Sequence, residues 1–130
     1  MGVSRYTTLG EQASLNFHVA CVSRGLLLAR PLWDCGYDVI VHNPTTHAMW
    51  RVQVKKAQPL QGGKYWVGST HRQRGKRYAV GVVQRFVFER PDGTGFWILD
   101  GSRLDGAAGR GLTDKDWEKW DLFDVQEPRQ

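Results

Sequence analysis

Apolar residues recur at helical spacing through Leu9, Ala13, Phe17 and Ala20/Cys21, and downstream the pattern turns to short alternating runs. The first stretch predicts a helix over residues 8 to 24. Thr8-Leu9-Gly10-Glu11 has the spacing of a capping box at its start, and Gly25 is a natural stop. Leu26 to Arg30 predicts a short strand ended by Pro31. Tyr37 to His42 and Met49 to Lys56 predict the two arms of a hairpin around Asn43-Pro44-Thr45-Thr46. After a loop over residues 57 to 63, Lys64 to Gly68 predicts a further strand. Residues 71 to 77, HRQRGKR, lack periodicity and read as an exposed, mobile basic loop. Tyr78 to Glu89 predicts a long strand, RPDGTG (90 to 95) its turn, and Phe96 to Leu99 the return. Thr113 is placed to cap a last short helix with Trp117 and Trp120 on one side. The order is one helix, four or five strands, one helix, without an internal repeat, and residues 1 to 130 read as a single domain.

The hairpin carries more than a hairpin needs. Alternation puts Asp38, Ile40 and His42 on one face of the first arm. It puts Gln53 and Lys55 on one face of the second, with Val52 and Val54 turned to the core. Reversal at Thr45-Thr46 or at Thr46-His47 sets Asp38 opposite Gln53 or Lys55. Either register gathers the three, because opposed Cβ atoms lie about 5 Å apart. A carboxylate and an amide oxygen are hard ligands suited to Mg²⁺, which keeps several waters. A metal there lowers the pKa of a bound water, and a lysine beside it orients that water or stabilises developing charge. The pattern suits metal-assisted hydrolysis of a phosphodiester. Glu11 completes the metal shell if its helix packs against the sheet, and otherwise serves as the capping-box acid of that helix. Taken singly, Asp38 could be a strand-edge acid paired with Lys55, and Gln53 an exposed strand residue.

Charge sharpens this picture. The chain has 130 residues, 41% apolar and 24% charged, with a net charge of +5. Residues 51 to 90 hold ten Lys or Arg and one acid, Glu89, whereas residues 114 to 130 hold six acids and three bases. So uneven a distribution marks a polyanion-facing surface. No run approaches the roughly 18 apolar residues of a membrane span, and no signal pattern opens the chain, so a soluble, cytoplasmic protein is expected. Cys21 and Cys35 make neither a disulfide framework nor a CxxC site. His42 and His47 flank the turn, but a zinc site needs further ligands at suitable spacing. Asp34, four residues before Asp38, is read as a turn cap, with a second metal as the other role.

The segments YDVIV (37 to 41) and RVQVKKA (51 to 57) resemble the active-site hairpin of the PD-(D/E)XK nuclease superfamily, in the variant where Gln replaces the second acid. The likeness covers about residues 8 to 57. Within the superfamily this stretch is similar to the small homing endonucleases associated with group I introns, and to phage and archaeal Holliday junction resolvases. The resemblance implies an α/β, restriction-endonuclease-like fold, with a mixed β-sheet core flanked by helices. It makes Asp38 a metal ligand and Lys55 the water-orienting or charge-stabilising lysine. Gln53 stands in place of the second acid, and Glu11 matches the helix glutamate of such sites. The implied cofactor is Mg²⁺, with Mn²⁺ able to substitute, and the partner is branched or duplex DNA.

Lys56, Lys64, Arg72, Arg74, Lys76 and Arg77 are the candidate DNA contacts, and binding through them would be steeply salt-dependent. Tyr65 and Trp66 could stack on bases but read as half-buried packing. Trp117, Trp120 and Phe123 read as core or dimer interface. One site per chain and two strands to cut imply a homodimer, or a dimer of dimers. The long strand from Tyr78 and the last helix are its candidate surfaces. A four-way-junction resolvase is the favoured reading, because so short a chain has little extra surface for reading bases. A sequence-specific homing endonuclease and a catalytically silent DNA-binding module are the alternatives.

Overall fold

The computed structural model describes residues 5–33, 35–68, 72–73, 76–77, 81–104 and 109–124, with side chains except at 5–10, 66–68, 72–73, 76–77 and 109–110. The chain opens with α1 (Arg5–Ser23), β1 (Leu27–Ala29), β2 (Val39–His42) and β3 (Met49–Lys56). Then come β4 (Gln58–Pro59), β5 (Tyr65–Gly68), β6 (Arg72–Gln73) and β7 (Lys76–Arg77), followed by β8 (Arg85–Glu89), β9 (Phe96–Asp100) and β10 (Gly109–Leu112). The main sheet runs β1-β2-β3-β8-β9. Only the β3–β8 pairing is parallel; its other neighbours are antiparallel. This is an α/β, restriction-endonuclease-like mixed sheet.

α1 begins earlier than the sequence predicts, so Thr8 and Glu11 both lie inside it and do not form its cap. Its end follows the prediction closely. Gly25 takes φ 77°, and Leu26 N donates to Cys21 O while Gly25 N donates to Val22 O, a Schellman closure. Leu26 and Cys21 are both buried, supplying the apolar contact of that motif. Burial pushes the Cys21 thiol up to about 12 against the pull of Arg24, which leaves it inert; Cys35 is exposed.

Alternation in the sheet sorts the core into two layers. Val39, Val41, Trp50, Val52, Val54, Val87 and Ile98 face α1, where Phe17 meets Phe96 at 5.7 Å and Trp120 at 5.7 Å between ring centroids. Phe86, Phe88, Trp97 and Leu99 face the other way, together with Leu104, Leu112 and Val83. That second layer is covered by the small sheet β10-β5-β4 rather than by a helix. Among the described residues α1 is the sole α-helix, so the expected flanking helices reduce to one.

Three further expectations change. The predicted strand from Tyr78 shrinks to β8, because Gly81 turns the chain at φ 83° and pairing with β3 starts at Val52↔Arg85. Residues 78–80 lie outside the described ones. The basic segment 71 to 77 is not structureless: β6 and β7 pair as a ribbon, Arg72 opposite Arg77 and Gln73 opposite Lys76. The last helix is two 3₁₀ turns, Asp114–Asp116 and Trp120–Phe123. Glu118 at φ 51° separates them, Trp117 bridges to Trp97, and Thr113 makes no side-chain cap. Trp120 and Phe123 pack on Phe17, as part of the core layer that faces α1. Among the described residues no helix is long and apolar enough to cross a membrane.

Candidate active site

The hairpin register resolves where Asp38 falls. Val39 pairs with Val52 and Ile40 with Arg51, centring the turn on Thr45-Thr46 and setting Asp38 level with Gln53. Buried Asn43 builds that turn: its Oδ1 accepts from Thr45 N (3.0 Å) and Thr46 N (3.3 Å), and its Nδ2 donates to Phe123 O (2.8 Å). At the other end, Asp38 N donates to Val52 O (2.9 Å) and Asp38 Oδ2 accepts from Val54 N (2.9 Å). The carboxylate is thereby tied to the β3 backbone between Gln53 and Lys55, by a charge-assisted bond that fixes its direction.

Gln53 and Lys55 lie level with Phe86 and Phe88 of β8, on the face turned away from α1. Gln53 is 8% exposed and Lys55 is half-buried. Burial lowers the Lys55 pKa, and the negative charge of Asp38 acts in the opposite direction. The acid, the amide and the ammonium are therefore gathered on one face, as the alternation predicts.

Glu11 is a different matter. It is exposed on α1, three residues before buried Ser14, and α1 packs on the Val52/Val54 face rather than the Gln53/Lys55 face. A link from Glu11 to Asp38 would have to run around the end of the sheet where Asp38 enters β2. Asp34 lies outside the described residues. The rings of His42 and His47 are 6.3 Å apart, and among the described residues no group of three or more His, Cys, Asp or Glu could hold a metal. The oxygen donors that fit Mg²⁺ are thus the Asp38 carboxylate and the Gln53 side-chain carbonyl, with water filling the rest.

The basic residues divide. Lys64 is exposed, and Arg72, Lys76 and Arg77 sit on the β6–β7 ribbon; Arg74 lies outside the described residues. Lys56 is not a free cation. Its Nζ lies 3.0 Å from Oε1 of Glu89, which is fully buried and whose Oε2 accepts from Asn16 Nδ2 at 2.7 Å. The Lys56–Glu89 contact is an ion pair without hydrogen-bond alignment. Glu89 was visible in the sequence only as the one acid in the basic block. Its place at the end of an apolar run, RFVFE, was the signal that it would be buried.

No family model matches the chain, and no curated protein is similar to it in sequence. Solved structures do match. A bacterial homing endonuclease, I-Ssp6803I, superposes with a TM-score of 0.74 at 19% identity, over 92% of this chain and 93% of that one. Hjc, a Holliday junction resolvase from Archaeoglobus fulgidus, superposes with a TM-score of 0.56 at 10% identity, over 92% of this chain and 98% of that one. The chain thus has, over nearly its whole length, the fold of these two DNA-processing enzymes.

Proposed function

We propose that the protein is a Mg²⁺-dependent endodeoxyribonuclease that hydrolyses phosphodiester bonds at the β2–β3 hairpin. The observation that carries this reading is the Asp38 carboxylate bonded to the β3 backbone between Gln53 and Lys55. The fold shared with a homing endonuclease and a junction resolvase supports it. Asp38 and Gln53 would hold Mg²⁺ or Mn²⁺, with water filling the remaining positions. When bound, such an ion would lower the pKa of a water and neutralise phosphate charge. Asp38 orients by its bond to Val54 N. Half-buried Lys55, in its ammonium form, would direct a proton toward the attacking water's oxygen or the phosphate oxygen, where charge develops.

Of the two substrate classes, we favour a specific duplex site over a four-way junction. The case for a junction rests on a shortage of surface for base reading. The crossover from β3 to β8 holds β4 and β5 of the small sheet and a basic two-stranded ribbon, and a ribbon of that kind fits a major groove. Cleavage of a labelled four-way junction and of a library of long linear duplexes, with Mg²⁺ or with chelator, tests this. Symmetric cutting of the junction irrespective of sequence overturns the duplex reading. Binding without cleavage of either, in Mg²⁺ or Mn²⁺, identifies a silent DNA-binding module. Asp38→Asn should abolish Mg²⁺-dependent cutting while the protein still binds DNA; unchanged cutting would remove Asp38 from the site.

We propose further that the chain acts as a homodimer, or a dimer of dimers, so that both strands are cut. Leu15, Val19 and Val22 are 58%, 71% and 56% exposed and form one apolar stripe on the outer side of α1. Their burial by a second copy is the natural use of that stripe. Leu15→Glu with Val19→Glu should halve the mass seen by sedimentation and leave the fold intact; an unchanged mass would place the interface elsewhere.

A further inference from the structure

On the sheet face that carries Lys55, a cavity of about 280 Å³ opens among Tyr65, Arg90, Trp97, Leu112, Asp114 and Trp117. Trp97, 4% exposed, is packed against both aromatic neighbours, with Tyr65 and Trp117 each 4.9 Å away between ring centroids. Tyr65 and Trp117 are only half-buried. The close seating of Trp117 depends on Gly95, where a Cβ would lie 2.7 Å from its ring. The Arg90 guanidinium lies over Tyr65 (5.3 Å) and Trp117 (5.7 Å). Arg90 Nε lies 3.2 Å from Asp92 Oδ2 in an ion pair without hydrogen-bond alignment. Asp114, an exposed residue, also lines the cavity.

Flat aromatic rings, a guanidinium plane, one donor and one acceptor are the groups that recognise a nucleobase: stacking from the rings and the guanidinium, and hydrogen bonds to its edge. Place in the fold adds a second argument. Lys55 is level with Phe88, and Phe88 with Trp97, so the three form one row on one face of the sheet. Two strand spacings separate Lys55 from Trp97, roughly 10 Å. That is about three stacked base steps of ~3.4 Å.

We propose that this cavity receives an unstacked nucleobase of the bound DNA, within about three nucleotides of the phosphate beside Lys55. The position relative to a scissile phosphate rests on the nuclease reading above; the capture of a base does not. Asp114 accepts from the exocyclic amine of the base and Arg90 donates to its ring nitrogen or carbonyl, which selects cytosine, adenine or guanine over thymine. Capture of a base there would hold the strand taut past the hairpin.

The test separates the two layers. The full-length protein is titrated with dCMP, dAMP, dGMP or dTMP, and with deoxyribose 5-phosphate, while the Trp indole NMR signals are followed. Expected are saturable shifts of the Trp97 and Trp117 indoles by dCMP, dAMP or dGMP in the millimolar range, weaker shifts by dTMP, and none by the sugar phosphate. Arg90→Gln and Tyr65→Leu should each weaken nucleotide binding about tenfold. No indole shift, or equal shifts from the sugar phosphate, overturns the proposal and makes the cavity aromatic packing only. Lys55→Ala cleavage assays, run alongside, report the nuclease reading independently. A protein that captures bases but never cuts keeps this proposal without that one.

Discussion

Lys55→Ala is expected to lower cleavage by about 10²–10³-fold, the size of effect seen when one preorganised electrostatic stabiliser is removed. DNA binding should survive within a few-fold, since one half-buried cation contributes little to a phosphate-tracking surface. The pH dependence follows from burial, which holds the Lys55 pKa below the ordinary lysine value of 10.5, against the pull of Asp38. If Lys55 acts in its charged form, cleavage should fall as pH rises through that lowered pKa, at lower pH than a solvent lysine would give. Stability runs the other way. Below the folded pKa the lysine is charged in both states and carries its full burial cost. Between the folded pKa and 10.5 the native state sheds the proton first, and the cost is relieved as pH rises. Lys55→Met should therefore melt a few degrees higher than the parent at neutral pH while cutting about 10²–10³-fold more slowly. A variant that cuts normally, or melts lower, would return Lys55 to an ordinary surface role.

Lys56→Met is expected to cost about 3–5 kcal/mol of stability, because it leaves the fully buried Glu89 without its cation. The Asn16 amide remains as one neutral donor, which is too little to offset a buried carboxylate. The double variant Lys56→Met with Glu89→Leu should recover most of that loss, since Asn16 is exposed and water can serve its amide. Urea denaturation of the two single variants and the double variant measures this directly. The same double variant should keep the parent's salt dependence of DNA binding, whereas loss of a phosphate contact would reduce the slope by about 0.9. A single-variant cost under about 1 kcal/mol, with a reduced slope, would show Lys56 to be a DNA contact after all.

The local elements were legible where a short-range signal exists. The Gly25 stop, the β1 run, the β2–β3 hairpin and the RPDGTG turn each rest on residues that set their own backbone. So does the grouping of Asp38, Gln53 and Lys55, because side chains in a strand alternate whatever the strand packs against. Only the register was open, and buried Asn43 closes it by holding Thr45 N and Thr46 N at the centre of the turn. The elements that went otherwise depend on partners distant in sequence. β8 starts only at Arg85 because its ladder with the parallel neighbour β3 begins at Val52↔Arg85, a constraint invisible in RYAVGVVQRF. Trp117 leaves the helix its spacing predicts because Trp97 offers it a strand bridge and Gly95 makes room for its ring.

By itself, then, the sequence determined which chemistry-bearing residues share a hairpin face, and that a basic block follows them. Tertiary structure alone decided three things. It put Glu11 on a helix against the opposite face, because Ala13, Phe17 and Cys21 seek the Val52/Val54 layer. It withdrew Lys56 from the basic surface by burying Glu89 beside it. And it set an aromatic cavity level with Lys55, because strands far apart in the chain pair side by side and align their rows. Alternation is a property of one strand; the neighbour that strand receives is a property of the whole chain.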